Sequence, residues 1–244
     1  METVSSGVLS SYGAGTETIW GVGAQQHLVA AFYRNTTVHI FVDRAIGELS
    51  LVAAAETDGD AAQVAVQESL RLRDLLKFDF YFADSTAFRE HLAEEMAWHE
   101  DWEAHVAAGE IDGILRAKRP LIGPAVLRPY FEAYEIVADV LRDAPAEIGE
   151  QDLTKKALGV GNQYVAQNRI RSTEAVSALL FATARQVVAD QHLLEPAADL
   201  VARRTAFRDE LRDVLRDMDM VEKISLEQFQ VREFERRTLR EAAE

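Results

Sequence analysis

Three polar residues spaced four apart, Asn35, His39 and Asp43, are the first candidates for chemistry in this sequence. On a helix, positions i, i+4 and i+8 lie on one stripe, so these side chains would be neighbours. A histidine beside a carboxylate can act as an oriented general base, but no nucleophile is evident nearby. The stripe offers a metal ion two ligands at most, which is too few. The set therefore either hydrogen-bonds within a core or faces a site or a domain interface.

The segment that carries this stripe, residues 25–56, is predicted to be one buried helix. Apolar residues recur in it at helical spacing and occupy most of the helix circumference, which is typical of a buried helix. Tyr33 and Arg34 lie beside Asn35 and His39, and these four residues are candidates for substrate binding or for a domain interface. A second polar stripe is expected to face water: Thr37, Arg44 and Glu48.

The composition favours an all-α fold. The chain has 244 residues, of which 48% are hydrophobic, and only five prolines interrupt its long helix-forming stretches. Residues 1–15 are rich in serine and glycine and are predicted to be a flexible lead-in. Residues 16–244 are predicted to form a single helical domain, with a possible short β-hairpin near its beginning.

Capping residues and apolar periodicity place further helices along the chain. Asp58 or Asp60 is expected to cap a second helix, and Asp84 or Ser85 a long acidic helix that ends near residue 108. Residues 109–129 contain three of the five prolines and are predicted to form an irregular connection. Five more helices are predicted after it, at residues 127–143, 152–168, 173–194, 198–220 and 225–242.

Charge and composition exclude several classes of function. A formal net charge of −15 disfavours binding to nucleic acid. The absence of cysteine excludes disulfides, thiolate catalysis and cysteine-based zinc sites. No apolar run approaches the roughly 20 residues that a membrane-spanning helix needs, so any membrane contact is expected to be peripheral. We expect no metal site, because His91, His99 and His105 are not spaced as adjacent helical ligands. We also expect no cofactor.

Five segments, in sequence order, resemble the C-terminal region of bacterial glycerol-3-phosphate 1-O-acyltransferase. The resemblance extends from about residue 16 to about residue 225, almost the whole chain. The segments are Tyr33-Arg34-Asn35 with His39 and Phe41-Val42; Leu-Leu-Lys-Phe-Asp-Phe-Tyr-Phe at 75–82; Leu127-Arg128 with Phe131, Tyr134 and Asp139; Gly161-x-Gln163-Tyr164 with Arg-Ile-Arg-Ser-x-Glu-x-Val-Ser at 169–177; and Glu-Leu-Arg-Asp-Val-Leu at 210–215.

The resemblance implies an acyltransferase. Members of the family transfer a fatty acyl group from acyl-CoA or acyl carrier protein to the 1-hydroxyl of glycerol 3-phosphate, the first committed step of phospholipid synthesis. They work in the cytoplasm or at the cytoplasmic face of the membrane. Their chemistry belongs to an upstream domain with a His-x4-Asp motif, in which histidine acts as the general base and aspartate orients it.

That motif is absent from this chain. The residues five positions after the six histidines are Phe32, Arg44, Met96, Ala104, Glu110 and Ala197. The resemblance therefore predicts a region that contains no catalytic residue and is inactive alone. Its expected partner is an acyltransferase catalytic domain in the same or a separate chain, through which any peripheral membrane contact would be made.

The resemblance also suggests where this region would meet the catalytic domain. The stretch around Tyr33 and His39 would pack against that domain or line the glycerol phosphate or acyl-chain site, and Arg34 would bring positive charge toward a phosphate. Arg169 and Arg171, just before the expected helix cap Ser172, form a second candidate anion site. Structural salt bridges are the alternative for both.

Two other hypotheses fit the same sequence. The chain can be a stand-alone helical interaction protein without catalytic activity. It can also be a helical enzyme that uses Asn35, His39 and Asp43 with residues that the sequence does not identify.

Overall fold

The structure, a computed structural model, describes residues 7–14, 17–23, 26, 29–30, 32, 35–57, 60–97, 101–110, 113–115 and 120–241. Side chains beyond residue 227 are outside this description. The chain divides into two compact units, Met1–Ile40 and Phe41–Glu244.

The first unit contains a β-hairpin. Strand β1 (Leu9–Ala14) pairs antiparallel with strand β2 (Glu17–Val22), and Leu9 lies opposite Val22. The predicted hairpin near the N-terminus is confirmed. Strand β1 begins inside residues 1–15, the segment for which the sequence suggested a flexible lead-in, and the two compact units divide after Ile40.

Helices build the second unit, which confirms the predicted all-α class. The α-helices of its described residues are α1 (Val42–Ala55), α2 (Ala61–Leu76), α3 (Ser85–Met96), α4 (Trp102–Ala107), α5 (Gly123–Arg142), α6 (Glu150–Ala166), α7 (Ala178–Asp190) and α8 (Leu200–Glu241). Short 3-10 helices span Val38–Phe41 and Thr173–Ala175.

Two of the predicted helix starts are confirmed by their caps. The carboxylate of Asp60 accepts a hydrogen bond of 3.1 Å from the backbone N–H of Gln63 at the start of α2. The carboxylate of Asp84 accepts from Thr86 and Ala87 at the start of α3, at 2.9 and 3.1 Å. Aspartate caps a helix by satisfying N–H groups that have no partner within the first turn.

Several predicted helices have other boundaries. The helix expected over 25–56 is wrong as a continuous element, because Thr36 and Thr37 form a turn and α1 begins only at Val42. The acidic helix ends at Met96, and α4 begins after Asp101, whose φ of 57° lies in the left-handed region. The last two predicted helices are one helix of 42 residues, α8.

Helix α5 lies at the centre of the second unit and packs against α1, α6, α7 and α8. Leu127, Phe131, Ile136 and Leu141 along it are completely buried. Because neighbouring helices surround α5, polar groups at its ends and along its length must find partners inside the protein.

Both ends of α5 are capped by charged side chains from other helices. Glu48 of α1 is completely buried and accepts hydrogen bonds from the backbone N–H groups of Ile122 and Gly123, at 2.9 and 2.7 Å. The expectation that Glu48 faces water is therefore wrong. At the other end, the guanidinium of Arg204 on α8 donates to the carbonyls of Leu141 and Ala144, both at 2.8 Å.

Close packing of α6 against its neighbours gives a stability prediction. A Cβ atom on Gly161 would lie 3.0 Å and 3.1 Å from the two Cγ atoms of Val176 and 3.2 Å from Cδ1 of Ile136. Gly161→Ala should therefore destabilise the protein by about 1–3 kcal/mol through overpacking, measured by urea unfolding. Gly159 on the same helix has no atom within 4 Å of such a position. Gly159→Ala should stabilise by about 0.5–1 kcal/mol, and equal effects of the two changes would contradict the prediction.

Candidate functional site

The helix that was predicted to carry the polar stripe is interrupted. Tyr33 and Arg34 lie outside the described residues. Asn35 and His39 are both exposed, and the turn at Thr36 and Thr37 interrupts the helix that was expected to align them with Asp43. The stripe is therefore wrong as a helical unit, although Asn35 and His39 stay candidates for an interface.

Asp43 has a different histidine as its neighbour. It lies in the first turn of α1, and its Oδ2 is 3.7 Å from Nδ1 of His91 on α3. Burial raises the pKa of the Asp43 carboxyl, and His91 opposes that rise. This carboxylate thus links two helices of the second unit.

The second predicted group, Arg169, Arg171 and Ser172, lies at a dense set of charges between α5 and α8. We call this set the charged seam. One side of the charged seam can be seen in the sequence. Four charged residues of α5 are spaced by four, three and four positions, so they share one helix face. All four are more than nine-tenths buried: Arg128, Glu132, Glu135 and Asp139.

One end of the charged seam joins α5 to α8 through two arginines. The guanidinium of Arg128 lies 2.8 Å from Asp219 and 3.1 Å from Glu222. Arg171 binds the same two carboxylates, with Asp219 at 3.2 Å. Two arginines that share two carboxylates form a network, and networks hold their geometry better than isolated surface pairs.

Glu132 of α5 supplies a carboxylate at the second candidate anion site, next to Arg171 and Ser172. Its two carboxylate oxygens accept hydrogen bonds from the backbone N–H groups of Arg171 and Ser172, at 3.0 and 2.9 Å. Burial raises the pKa of Glu132, whereas these two N–H groups and Arg128 lower it. The N–H groups at 171 and 172 are therefore not free to receive a phosphate.

Ser172 has a different local role from the one expected. It precedes the 3-10 helix Thr173–Ala175, and its side chain makes no capping hydrogen bond. The α-helix predicted to begin at residue 173 begins at Ala178. Ser172 therefore contributes its backbone N–H to Glu132 rather than a hydroxyl cap to an α-helix.

The other end of the charged seam is organised around Asp139. Its carboxylate accepts from the hydroxyl of Tyr164 on α6 at 2.7 Å and from Arg212 on α8 at 3.1 Å. Arg169 lies 3.5 Å from Asp139, with its guanidinium carbon 3.6 Å from the centre of the Tyr164 ring. Arg212 also binds Glu135 at 3.0 Å. Asp139 thus connects α5, α6 and α8. Burial raises the pKa of the Tyr164 hydroxyl, and the hydrogen bond and charge of Asp139 raise it further.

The pairing of arginines with carboxylates bears on whether the charged seam can bind a phosphate. Each of its four arginines contacts at least one carboxylate. An incoming phosphate would have to displace a carboxylate that is already bound, which favours the structural alternative for Arg169 and Arg171. These two arginines were identified from the sequence, but the carboxylates opposite them were not. The spacing of the charged residues on α5, by four, three and four positions, is the signal in the sequence that would have identified them.

Two further properties concern ions and membranes. In the part of the chain that the structure describes, no three histidine or acidic side chains are grouped so that they could hold a metal ion. Among those same residues, none of the helices combines the length and the apolar character required to cross a bilayer.

Comparison with known proteins identifies the family. A family profile described as the glycerol-3-phosphate acyltransferase C-terminal region matches residues 1–197. The protein named "Putative acyltransferase plsB1" from Mycobacterium bovis is 40% identical over 236 residues. Proteins of that name from two strains of Mycobacterium tuberculosis are equally similar. No solved structure matches the chain.

These relatives are much longer than the chain. The alignment covers 93% of this chain but only 38% of each relative. The profile and the relatives name the same family that the order of motifs in the sequence suggested. The chain therefore belongs to the family of the glycerol-3-phosphate acyltransferase C-terminal region.

Proposed function

We propose that this chain is the accessory region of an acyltransferase that moves a fatty acyl group from acyl-CoA or acyl carrier protein to the 1-hydroxyl of glycerol 3-phosphate. Its role is to pack against the catalytic domain and support it. The observation that carries this proposal is the family match over residues 1–197, together with the small share of each relative that the chain spans.

The catalytic step itself is assigned to the partner domain. None of the six histidines is followed five residues later by aspartate, so the chain does not contain the His-x4-Asp arrangement expected of the general base. No cofactor is required for the transfer. In the cell, the assembly would act in the cytoplasm or at the cytoplasmic face of the membrane, with any membrane contact made through the complete enzyme.

Exposed apolar side chains in the first unit support a role in association. Trp20 and Val22 are two apart on β2, so they project from the same face of the strand, and their exposed fractions are 55% and 38%. Phe32 and Ile40 are 68% and 66% exposed. Exposed apolar side chains that lie together often mark a binding surface. Phe32 and Ile40 adjoin the interface candidates Tyr33, Arg34, Asn35 and His39 in the sequence.

Activity and association are tested separately. The purified chain, given glycerol 3-phosphate and palmitoyl-CoA, should release no CoA above background. When it is mixed with the part of a plsB1 relative that lies outside the alignment, the two should form a complex detectable by size-exclusion chromatography and calorimetry. CoA release by the chain alone would overturn the assignment of catalysis to the partner.

Matched variants locate the contact. Ile40→Glu and Phe32→Glu should each weaken the complex at least tenfold, because a charge replaces an exposed apolar contact. Leu179→Glu is the control, since Leu179 is 74% exposed but lies on α7. Equal weakening by all three would place the contact elsewhere.

The alternative is a stand-alone helical interaction protein. It predicts that the chain forms no complex with the catalytic part of any relative, while remaining folded. The Asn35, His39 and Asp43 enzyme hypothesis loses its geometric basis, because the helix expected to align these residues is interrupted.

A further inference from the structure

A cleft between α1, α2 and α8 is lined mainly by acidic side chains. It encloses about 510 Å³ and lies on the second unit, apart from the charged seam. Its charged residues, six carboxylates and two guanidiniums, are Glu56, Glu68, Asp209, Glu210, Asp213, Asp217, Arg71 and Arg216. We call it the acidic cleft. The excess of negative charge means that its carboxylates are incompletely neutralised.

The two arginines bridge the helices that form the acidic cleft. Arg71 of α2 donates to Glu68 on its own helix at 2.7 Å and to Glu210 on α8. Arg216 of α8 donates to Asp213 at 2.7 Å and to Glu56, just beyond the end of α1, at 3.2 Å. These contacts hold α8 against α1 and α2.

Asp217 is the poorly compensated member of the acidic cleft. It is only 6% exposed, and its contact with Arg216 is long, at 3.5 Å. Three carboxylates that line the same cleft act on it electrostatically: Glu56 just after α1, Glu68 on α2 and Asp213 on α8. Burial, followed by the charge of Glu56, raises the pKa of Asp217 to about 7, although Arg216 opposes the rise. A charged Asp217 is thus unfavourable in the position where the fold holds it.

We propose that protonation of Asp217 controls how firmly α8 is held against α1 and α2. When Asp217 is neutral, Arg216 is shared among fewer negative charges and the three helices pack without repulsion from Asp217. When Asp217 loses its proton, a buried charge faces Glu56 and Glu68, and the end of α1 and the adjoining turns of α8 loosen.

The direction of the pH effect follows from the protons bound in each state. A carboxyl with a raised pKa keeps its proton in the folded protein at pH values where the unfolded chain has already lost it. Its contribution to stability is therefore complete at low pH, falls as the pH rises toward 7, and is lost above 7. Other buried carboxyls titrate as well, so the effect must be measured as a difference between variants.

Urea unfolding of the whole chain at pH 5.5 and pH 8.5 tests this proposal. Asp217→Asn keeps the shape and removes the charge. The ratio of its folding equilibrium constant to that of the wild type is compared at the two pH values. This ratio should be at least about tenfold larger at pH 8.5 than at pH 5.5. Asp209→Asn is the control, since Asp209 lines the same cleft but its side chain is 54% exposed. The control should show no such change with pH.

Two further measurements tie the pH effect to α8. At pH 8.5, backbone amides of residues 209–217 should exchange hydrogen faster in the wild type than in Asp217→Asn, and at pH 5.5 this difference should be much smaller. Glu56→Gln should move the loss of stability of the otherwise wild-type chain to lower pH. The charge of Glu56 raises the pKa of Asp217, so its removal lowers that pKa. Differences that are the same at both pH values, or a pH profile unchanged by Glu56→Gln, would overturn the proposal.

Discussion

Glu48→Ala is expected to destabilise the protein by about 3 kcal/mol. Glu48 is completely buried, and its carboxylate accepts the N–H groups of Ile122 and Gly123 at the start of α5. No side chain of α5's own N-terminal residues caps this end. Alanine would leave both donors in a buried site without an acceptor, at a cost of about 1–3 kcal/mol for each unsatisfied group. It would also remove a negative charge from the positive end of the helix dipole.

The measurement is urea unfolding at constant pH, with two comparison variants. Glu48→Gln keeps one acceptor oxygen, so it should lose roughly half as much stability as Glu48→Ala. Glu94→Ala removes an exposed glutamate from α3 and should leave stability almost unchanged. A loss below about 1 kcal/mol for Glu48→Ala would show that water satisfies the start of α5 equally well.

Arg204→Met is expected to destabilise the protein by about 3–5 kcal/mol, the largest effect of any single change proposed. Arg204 is 2% exposed and donates to carbonyl oxygens of Leu141 and Ala144 at the end of α5, and of Leu193 after α7, at 2.8 to 2.9 Å. Burial lowers the pKa of its guanidinium. Carbonyl groups at the end of a helix carry partial negative charge, so a cation placed there is favoured. Methionine fills similar volume but donates no hydrogen bonds.

Neighbouring and conservative changes separate hydrogen bonding from packing. Arg204→Lys keeps the charge and can reach fewer of the carbonyls, so it should fall between the wild type and Arg204→Met. Arg203→Met removes a single bond to the carbonyl of Gln191 from a partly exposed side chain, and should cost less than about 1 kcal/mol. If Arg204→Met and Arg203→Met were equally mild, the capping role of Arg204 would be refuted.

These two residues together explain how α5 is fixed in place. A buried anion from α1 closes its positive end, and a buried cation from α8 closes its negative end. Helix α5 in turn carries the charged face whose Glu132 holds the backbone at Arg171 and Ser172. Loss of either cap should therefore loosen the charged seam as well, which hydrogen exchange at residues 169–172 would reveal.

The sequence by itself determined the features that depend on near neighbours. Low proline content and helical periodicity predicted the all-α class, and residues 16–23 suggested a short strand or hairpin. Asp60 and Asp84 were readable as caps because each binds backbone groups two or three residues ahead. The order of motifs around Tyr33, Tyr134 and Arg169 was enough to suggest the family that comparison then established.

Only the tertiary structure decided the partners of the buried charges. Glu48 and Gly123 are 75 residues apart, Arg204 and Leu141 are 63 apart, and Glu132 and Ser172 are 40 apart. Residue type alone favoured water for Glu48, and it left Arg169 and Arg171 open between an anion site and structural salt bridges. The reason is physical: a cap within one turn is set by local backbone geometry, whereas a buried charge is paired with whatever group the packing of distant helices brings to it.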